Sequence, residues 1–169
     1  MSRTRTTSQR VLLLIGSVGP LGYAPASGTV AVAVAGVPLY LLMHAHLSLS
    51  WYVLVTAGVT FFGVWIHHVG DRVLGEKDSR KLVIDELAGY FVAMTAVPAF
   101  GVTPTWQLVV LGFLAERAID IVKIPPANWI EKRWPGGWGV VGDDIVAGLY
   151  TLALLHLAMG LFPGLLGIG

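Results

Sequence analysis

Four stretches of this chain, residues 28–48, 51–69, 83–101 and 142–162, are long and apolar enough to cross a bilayer, whose hydrocarbon core takes about 20 helical residues. A fifth, residues 105–122, is slightly short and ends in charge. Lipid offers backbone N–H and C=O groups no water to bond, so a crossing segment must satisfy them internally, as an α-helix does. The composition agrees: 55% of the 169 residues are hydrophobic and 12% are charged, against roughly a quarter charged in soluble proteins. Turn signals fall between the stretches, at Gly70 with Asp71, Thr103 with Pro104, Pro125 with Pro126, and Pro135-Gly136-Gly137. The expected fold is an all-α integral membrane protein, a compact helical bundle of about five transmembrane helices forming a single domain over residues 1–169.

Length alone does not set the path of residues 11–27. Arg3, Arg5 and Arg10, followed by an apolar run and Ala24-Pro25-Ala26, resemble a signal peptide. The basic residues decide the matter. All eleven Lys and Arg lie at 3–10, 72–81 and 117–133, and cytoplasmic loops hold such residues. If residues 11–26 spanned the membrane, or were cleaved after translocation, Arg72, Lys77, Arg80 and Lys81 would fall outside. If residues 11–27 are interfacial or re-entrant, five spans bring residues 1–10, a basic tail, and every other charged side chain to the cytoplasmic face. Gly16, Gly19, Pro20, Gly22 and Pro25 suit such a broken path packed against protein.

The formal net charge of +1 creates no global field, which argues against nucleic acid as a partner. With no cysteine in the chain, disulfides, cysteine zinc sites and cysteine-phosphatase chemistry are excluded.

Three acidic motifs at the margins of the apolar stretches carry the chemistry: Ile84-Asp85-Glu86-Leu87-Ala88-Gly89, Glu116-Arg117-Ala118-Ile119-Asp120-Ile121-Val122-Lys123, and Gly142-Asp143-Asp144-Ile145-Val146-Ala147-Gly148. Carboxylates so close to hydrocarbon are costly unless paired, hydrated or bound to a cation. Capping of a helix N-terminus accounts for either acid pair alone. Two pairs on one face, each followed by small residues that permit close helix approach, point to a shared cation, and hard oxygen ligands suit Mg²⁺. Arg117, Asp120 and Lys123 recur at i, i+3 and i+6 as a drifting stripe. An interfacial ion pair explains the stripe, and so does a phosphate held by the guanidinium fork with the lysine as a second point charge.

Gly137-Trp138-Gly139-Val140-Val141-Gly142 formally matches a dinucleotide-binding glycine pattern, but the acid pair that follows would repel a pyrophosphate. Its glycines are expected to let the backbone fold tightly over Asp143 and Asp144, which open the fifth span. Gly22 to Thr29 offers backbone N–H groups and hydroxyls either to a phosphate or to an ordinary turn. His67 and His68 point about 100° apart on a helix and make no metal pair, so no histidine is assigned a role.

At these residues the chain resembles the phosphatidylglycerophosphatase A family, small membrane phosphatases of bacterial phospholipid synthesis. The matching pieces are Gly22-Tyr-Ala-Pro-Ala-Ser-Gly-Thr29, Lys77-Asp78 followed by Val83 to Gly89, the spacing of Arg117, Asp120 and Lys123 before Pro125-Pro126, and Gly136 to Gly139 leading into Asp143 to Gly148. They cover most of residues 20–150 in the expected order. The chain departs from the family's pattern at Ser27-Gly28-Thr29-Val30-Ala31, and at Glu116, Ile119 and Ile124, which flank the charged residues without replacing them.

The resemblance implies Mg²⁺-dependent hydrolysis of phosphatidylglycerophosphate to phosphatidylglycerol and phosphate, by a multi-pass protein of the bacterial inner membrane with its site on the cytoplasmic side. Asp85, Glu86, Asp120, Asp143 and Asp144 are the candidate metal ligands. Arg117, Lys123, Thr29 and Lys77 are the candidate substrate-binding residues. Asp120, Asp144, Asp143 and Glu86 are the candidate catalytic groups, with Asp120 a ligand, a nucleophile or a base. Two rivals come from other classes. An ion- or proton-coupled transporter also uses intramembrane carboxylates but needs polar groups toward the far side, and the loops 44–50 and 99–105 hold no Asp, Glu, Lys or Arg. A non-catalytic scaffold would use only the small-residue helix contacts.

Overall fold

The apolar runs fold as helices. The computed structural model describes residues 6–168, and among them there is no β-strand. Helix α1, Thr7–Gly16, starts with a capping box in which the Thr6 side chain accepts from the Gln9 N–H and the Gln9 side chain accepts from the Thr6 N–H. Ten residues at 1.5 Å each give about 15 Å, half of a hydrocarbon core. After a short 3₁₀ turn at Leu21–Tyr23 come α2, Ser27–His46, with a π-type stretch at Val32–Gly36, and α3, Leu49–Leu74. Then follow α4, Ile84–Met94, α5, Ala96–Phe100, α6, Trp106–Val122, α7, Ala127–Arg133, and α8, Gly137–Leu161.

Among the described residues α2, α3 and α8 are the helices long and apolar enough to cross a membrane. Only about a third of each is buried within the protein. Their outward faces carry Leu42, Trp51, Leu54, Phe61, Trp65, Leu149 and Leu157, an apolar surface suited to lipid. The other two expected spans differ. Residues 83–101 form α4 and α5, and α4 is enclosed by its neighbours, with Leu87, Ala88, Gly89, Tyr90, Phe91, Ala93 and Met94 all buried. A helix that is apolar all round lies inside a protein as readily as in lipid, and here the protein surrounds it. Helix α6 has 17 residues, about 25 Å.

The tightest crossing is between α4 and α8, the most extensive helix pair in the molecule. A Cβ at Gly148 would run into the Gly89 carbonyl, and one at Gly89 would lie 2.8 Å from the Asp144 carbonyl. Glycine on both helices is what lets these backbones meet. The Tyr40, Tyr52 and Tyr90 rings pack edge to face with centroids 6.1 to 6.3 Å apart, tying α2 and α3 to the same central helix.

One expectation about the last helix is corrected. Helix α8 begins at Gly137, not beside the acid pair, so Asp143 and Asp144 lie in its second turn. The glycines of 137–142 are helical and do not fold over the acids. They leave room for neighbours instead: a Cβ at Gly139 would stand 2.7 Å from the Trp134 carbonyl, and one at Gly142 would stand 2.7 Å from an Ile130 methyl. That space is taken by α7, a helix that the turn signals on either side of it concealed.

Candidate active site

Three helix segments bring their acids together. Asp85 and Glu86 are in the first turn of α4, where carboxylates are favoured by the helix dipole. Asp120 sits in the last turn of α6, and Asp144 sits on α8 opposite Gly89. One carboxylate oxygen each from Glu86, Asp120 and Asp144 lies within 4.8 Å of the others. Three carboxylates of this kind make an all-oxygen donor set, the type that suits a hard divalent cation.

Arg117 holds the cluster in place. Its guanidinium donates two hydrogen bonds of 2.6 Å to Glu116, whose side chain is fully buried. It also contacts Glu86, and it lies 3.5 Å from Asp120. Glu116 was not among the expected site residues; it anchors the arginine from below. Gly28 faces the same carboxylate from the start of α2, where any Cβ would overlap Glu86.

Lys123 ends α6 in a left-handed conformation, φ 52°, which turns its chain away from the helix axis. Its ammonium donates a 2.6 Å hydrogen bond to Asp143 and stands 3.0 Å from Glu131. Burial works against this charge, but Asp143 and then Glu131 outweigh it and hold the ammonium pKa above its ordinary value. Asp143 is therefore paired with a lysine rather than grouped with the other three acids. Asp85 has a partner too: its Oδ2 lies 3.1 Å from His67 Nε2, a close polar contact whose orientation falls short of a hydrogen bond. His67 is fully buried, and its other nitrogen is 3.7 Å from Asp71. The structure thus gives a histidine a place beside the site, against the expectation that none has one. The i, i+4 spacing of His67 and Asp71 was visible in the sequence; the contact with Asp85 depends on how α3 lies against α4.

The acid cluster, Arg117, Lys123, Asp143 and Asp85 line one cavity of about 740 Å³, the size of a small-ligand site, with Glu116, Glu131 and His67 behind them. Its wall includes residues 22–29, with Thr29 among them, and six carboxylates, Asp78, Asp85, Glu86, Asp120, Asp143 and Asp144. Four basic residues are on the same wall: Arg80, Lys81, Arg117 and Lys123. Asp78, at φ 56° in the loop before α4, has its pKa raised by burial and then by the nearby Asp85 charge. Lys77 is not part of the wall; its ammonium donates to the Glu131 carbonyl at 2.9 Å. Arg80 and Lys81 are wall residues that sequence reasoning placed only in a basic loop, and Asp78 one that it met only within the matching piece Lys77-Asp78.

An excess of carboxylates over basic groups repels a phosphate unless a cation offsets it. The arrangement can hold a divalent cation at Glu86, Asp120 and Asp144 and can present an anionic substrate to it.

Comparison with known proteins gives the family of the chain. The family model described as phosphatidylglycerophosphatase A matches residues 14–159. Phosphatidylglycerophosphatase A of Escherichia coli (strain K12) is 30% identical over 155 residues, which cover 92% of this chain and 86% of that protein. The protein of the same name from Haemophilus influenzae is 26% identical over 78% of this chain and 77% of its own length. A Bacteroides thetaiotaomicron protein, provisionally named phosphatidylinositol-3-phosphatase, is 31% identical over 86% of this chain and 92% of its own. No solved structure matches the chain. With a family match over residues 14–159 and a relative 30% identical over most of both chains, the chain is a phosphatase of the phosphatidylglycerophosphatase A family.

Proposed function

We propose that the chain hydrolyses the terminal phosphate monoester of phosphatidylglycerophosphate, with Mg²⁺ as its cofactor, at the cytoplasmic face of the membrane. The observation that carries this reading is the convergence of Glu86, Asp120 and Asp144 within 4.8 Å in a cavity of about 740 Å³. The names of the relatives add a common plan. Phosphatidylglycerophosphate and a phosphatidylinositol 3-phosphate each carry a phosphodiester to diacylglycerol, a polyol, and a distal phosphate monoester.

Bound at Glu86, Asp120 and Asp144, Mg²⁺ would polarise the phosphoryl oxygens and offset the negative charge of the acids. The protein's own groups do the rest. Arg117 fixes Glu86 and Asp120 in position and adds positive charge beside the reacting phosphate. Lys123 holds Asp143 at the cavity wall and adds a second positive charge. Ser27, Gly28 and Thr29 open α2 on the same cavity wall, and the N–H groups of that first turn, together with the Thr29 hydroxyl, would serve as hydrogen-bond donors to phosphoryl oxygens. The bond from phosphorus to the glycerol oxygen breaks, a water oxygen ends on the phosphate, and the leaving alkoxide takes up a proton. Asp120, Asp144, Asp143 and Glu86 are the groups placed to serve as nucleophile or to move that proton.

Purified protein is expected to release phosphate from phosphatidylglycerophosphate with Mg²⁺ present and to lose that activity in excess chelator, with recovery on returning the ion. No release from the lipid, or full activity in chelator, would overturn the assignment.

Five crossings with the site on the cytoplasmic side are part of the same reading, with α4–α5 and α6 added to the three long helices. The support is that Arg80, Lys81, Arg117 and Lys123 all reach one cavity, so the basic clusters share a face. A protease-cleavable tag placed at Glu76 should be cut only from the cytoplasmic side; cutting from outside would reject five crossings.

A further inference from the structure

The four basic side chains on the cavity wall are not equivalent. Arg117 contacts three carboxylates, Glu86, Glu116 and Asp120, and Lys123 contacts two, Asp143 and Glu131. Their charge is already matched by fixed groups. Arg80, by contrast, has no ion pair among the described residues, and Lys81 has only a loose one, 3.7 Å from Glu76, with its side chain 46% exposed. Glu76 is itself shared, since it accepts a 2.6 Å hydrogen bond from the Ser79 hydroxyl. Arg80 and Lys81 therefore carry the positive charge still available to an anionic ligand.

Their backbone is nonetheless fixed. The Ser27 hydroxyl donates to the Arg80 carbonyl at 2.6 Å, the Val83 N–H donates to the Gly16 carbonyl at 2.9 Å, and a Cβ at Gly22 would overlap the Lys81 carbonyl. Two exposed cationic residues thus lie on a pinned loop that packs against residues 22–27, on the wall of the cavity that also holds the acid cluster.

We propose that Arg80 and Lys81 bind the phosphodiester of the lipid headgroup while the distal monoester occupies the acid cluster. This rests on the lipid phosphatase reading above. The acyl chains of the substrate stay in the bilayer, so the singly charged diester remains near the cavity mouth when the monoester is inside. An exposed cation at that mouth meets the diester, whereas one already clasped by carboxylates does not. A guanidinium and an ammonium both make strong charge-assisted hydrogen bonds to phosphate oxygens. The pair would favour lipids that carry two phosphates on one headgroup over lipids with a monoester alone.

The test uses the full-length protein in neutral detergent micelles, at fixed lipid mole fraction, so that no bulk anionic surface contributes. Wild type, Arg80→Gln, Lys81→Gln and the double variant are compared for kcat and KM on phosphatidylglycerophosphate. Inhibition by short-chain phosphatidylglycerol, which has only the diester, and by inorganic phosphate, which lacks it, is measured in parallel. In the double variant KM and the phosphatidylglycerol inhibition constant should rise about tenfold or more, as expected for losing charge-assisted contacts. The kcat and the inhibition constant for phosphate should stay within about twofold, since neither reports on a diester contact. An unchanged KM, an equal weakening of phosphate inhibition, or no inhibition of the wild type by phosphatidylglycerol would overturn the diester site. A wild type that releases no phosphate from the lipid would instead overturn the reaction itself, a different result from active enzyme with indifferent variants.

Discussion

Asp120→Asn is expected to lower kcat on phosphatidylglycerophosphate by about a thousandfold, comparable to the removal of a main electrostatic group from an active site. The substitution keeps the size of the side chain and removes one negative charge from the Glu86, Asp120 and Asp144 group. The neutral amide is a weaker ligand for a hard cation than a carboxylate and is neither a nucleophile nor a base, so activity falls whichever role the carboxylate plays. The fold should survive. Asp120 keeps company with Arg117 at 3.5 Å, but the arginine has two shorter contacts with Glu116 and another with Glu86. The measurements are kcat at saturating lipid and Mg²⁺ and the midpoint of thermal inactivation in detergent. A variant within tenfold of wild-type kcat would remove Asp120 from the catalytic group.

Arg117→Met has the opposite balance, a large effect on stability together with loss of activity. The guanidinium is buried among Glu86, Glu116 and Asp120, and breaking a buried ion pair by deleting one partner costs about 3–5 kcal/mol, because the other charge is left without compensation. Glu116 is the carboxylate with most to lose, since the arginine is its hydrogen-bonding partner and it has no exposure to water. Adding Glu116→Gln should therefore restore much of the stability of Arg117→Met without restoring turnover, because Glu86 and Asp120 would still lack their positioning group. Unfolding by graded denaturant in detergent, run beside phosphate release, separates the two effects. If the double variant is no more stable than Arg117→Met, Glu116 is not the anchor.

Runs of apolar residues were enough to place α2 and α3 to within a few residues, because the cost of exposing backbone in lipid acts on each segment separately. The acids that form the ion-sized group were also visible, since each stands next to an apolar run where an unpaired charge is expensive. What the sequence could not show is how the helices are rotated against one another. Hydropathy does not distinguish lipid from protein as surroundings, so the sequence could not show that α4 is enclosed by its neighbours. The same blindness hid the contact of His67 with Asp85, the capture of Asp143 by Lys123, and the place of Arg80 and Lys81 on the cavity wall. Helix α7 was missed for a local reason: Pro125-Pro126 and Pro135-Gly136 bracket only seven helical residues, too few to show a period against those breakers.

The placement of Asp144 on α8 has a consequence for how the enzyme comes into being. Glu86 and Asp120 are made and inserted first, but the group is complete only when the last long helix has docked against Gly89 through Gly148. Until then two acids and Arg117 face a gap. On the proposed reading, a chain whose residues 137–161 have not docked lacks one of the three acids of that group. The same glycine contact that sets the helix spacing then also sets when the group is complete.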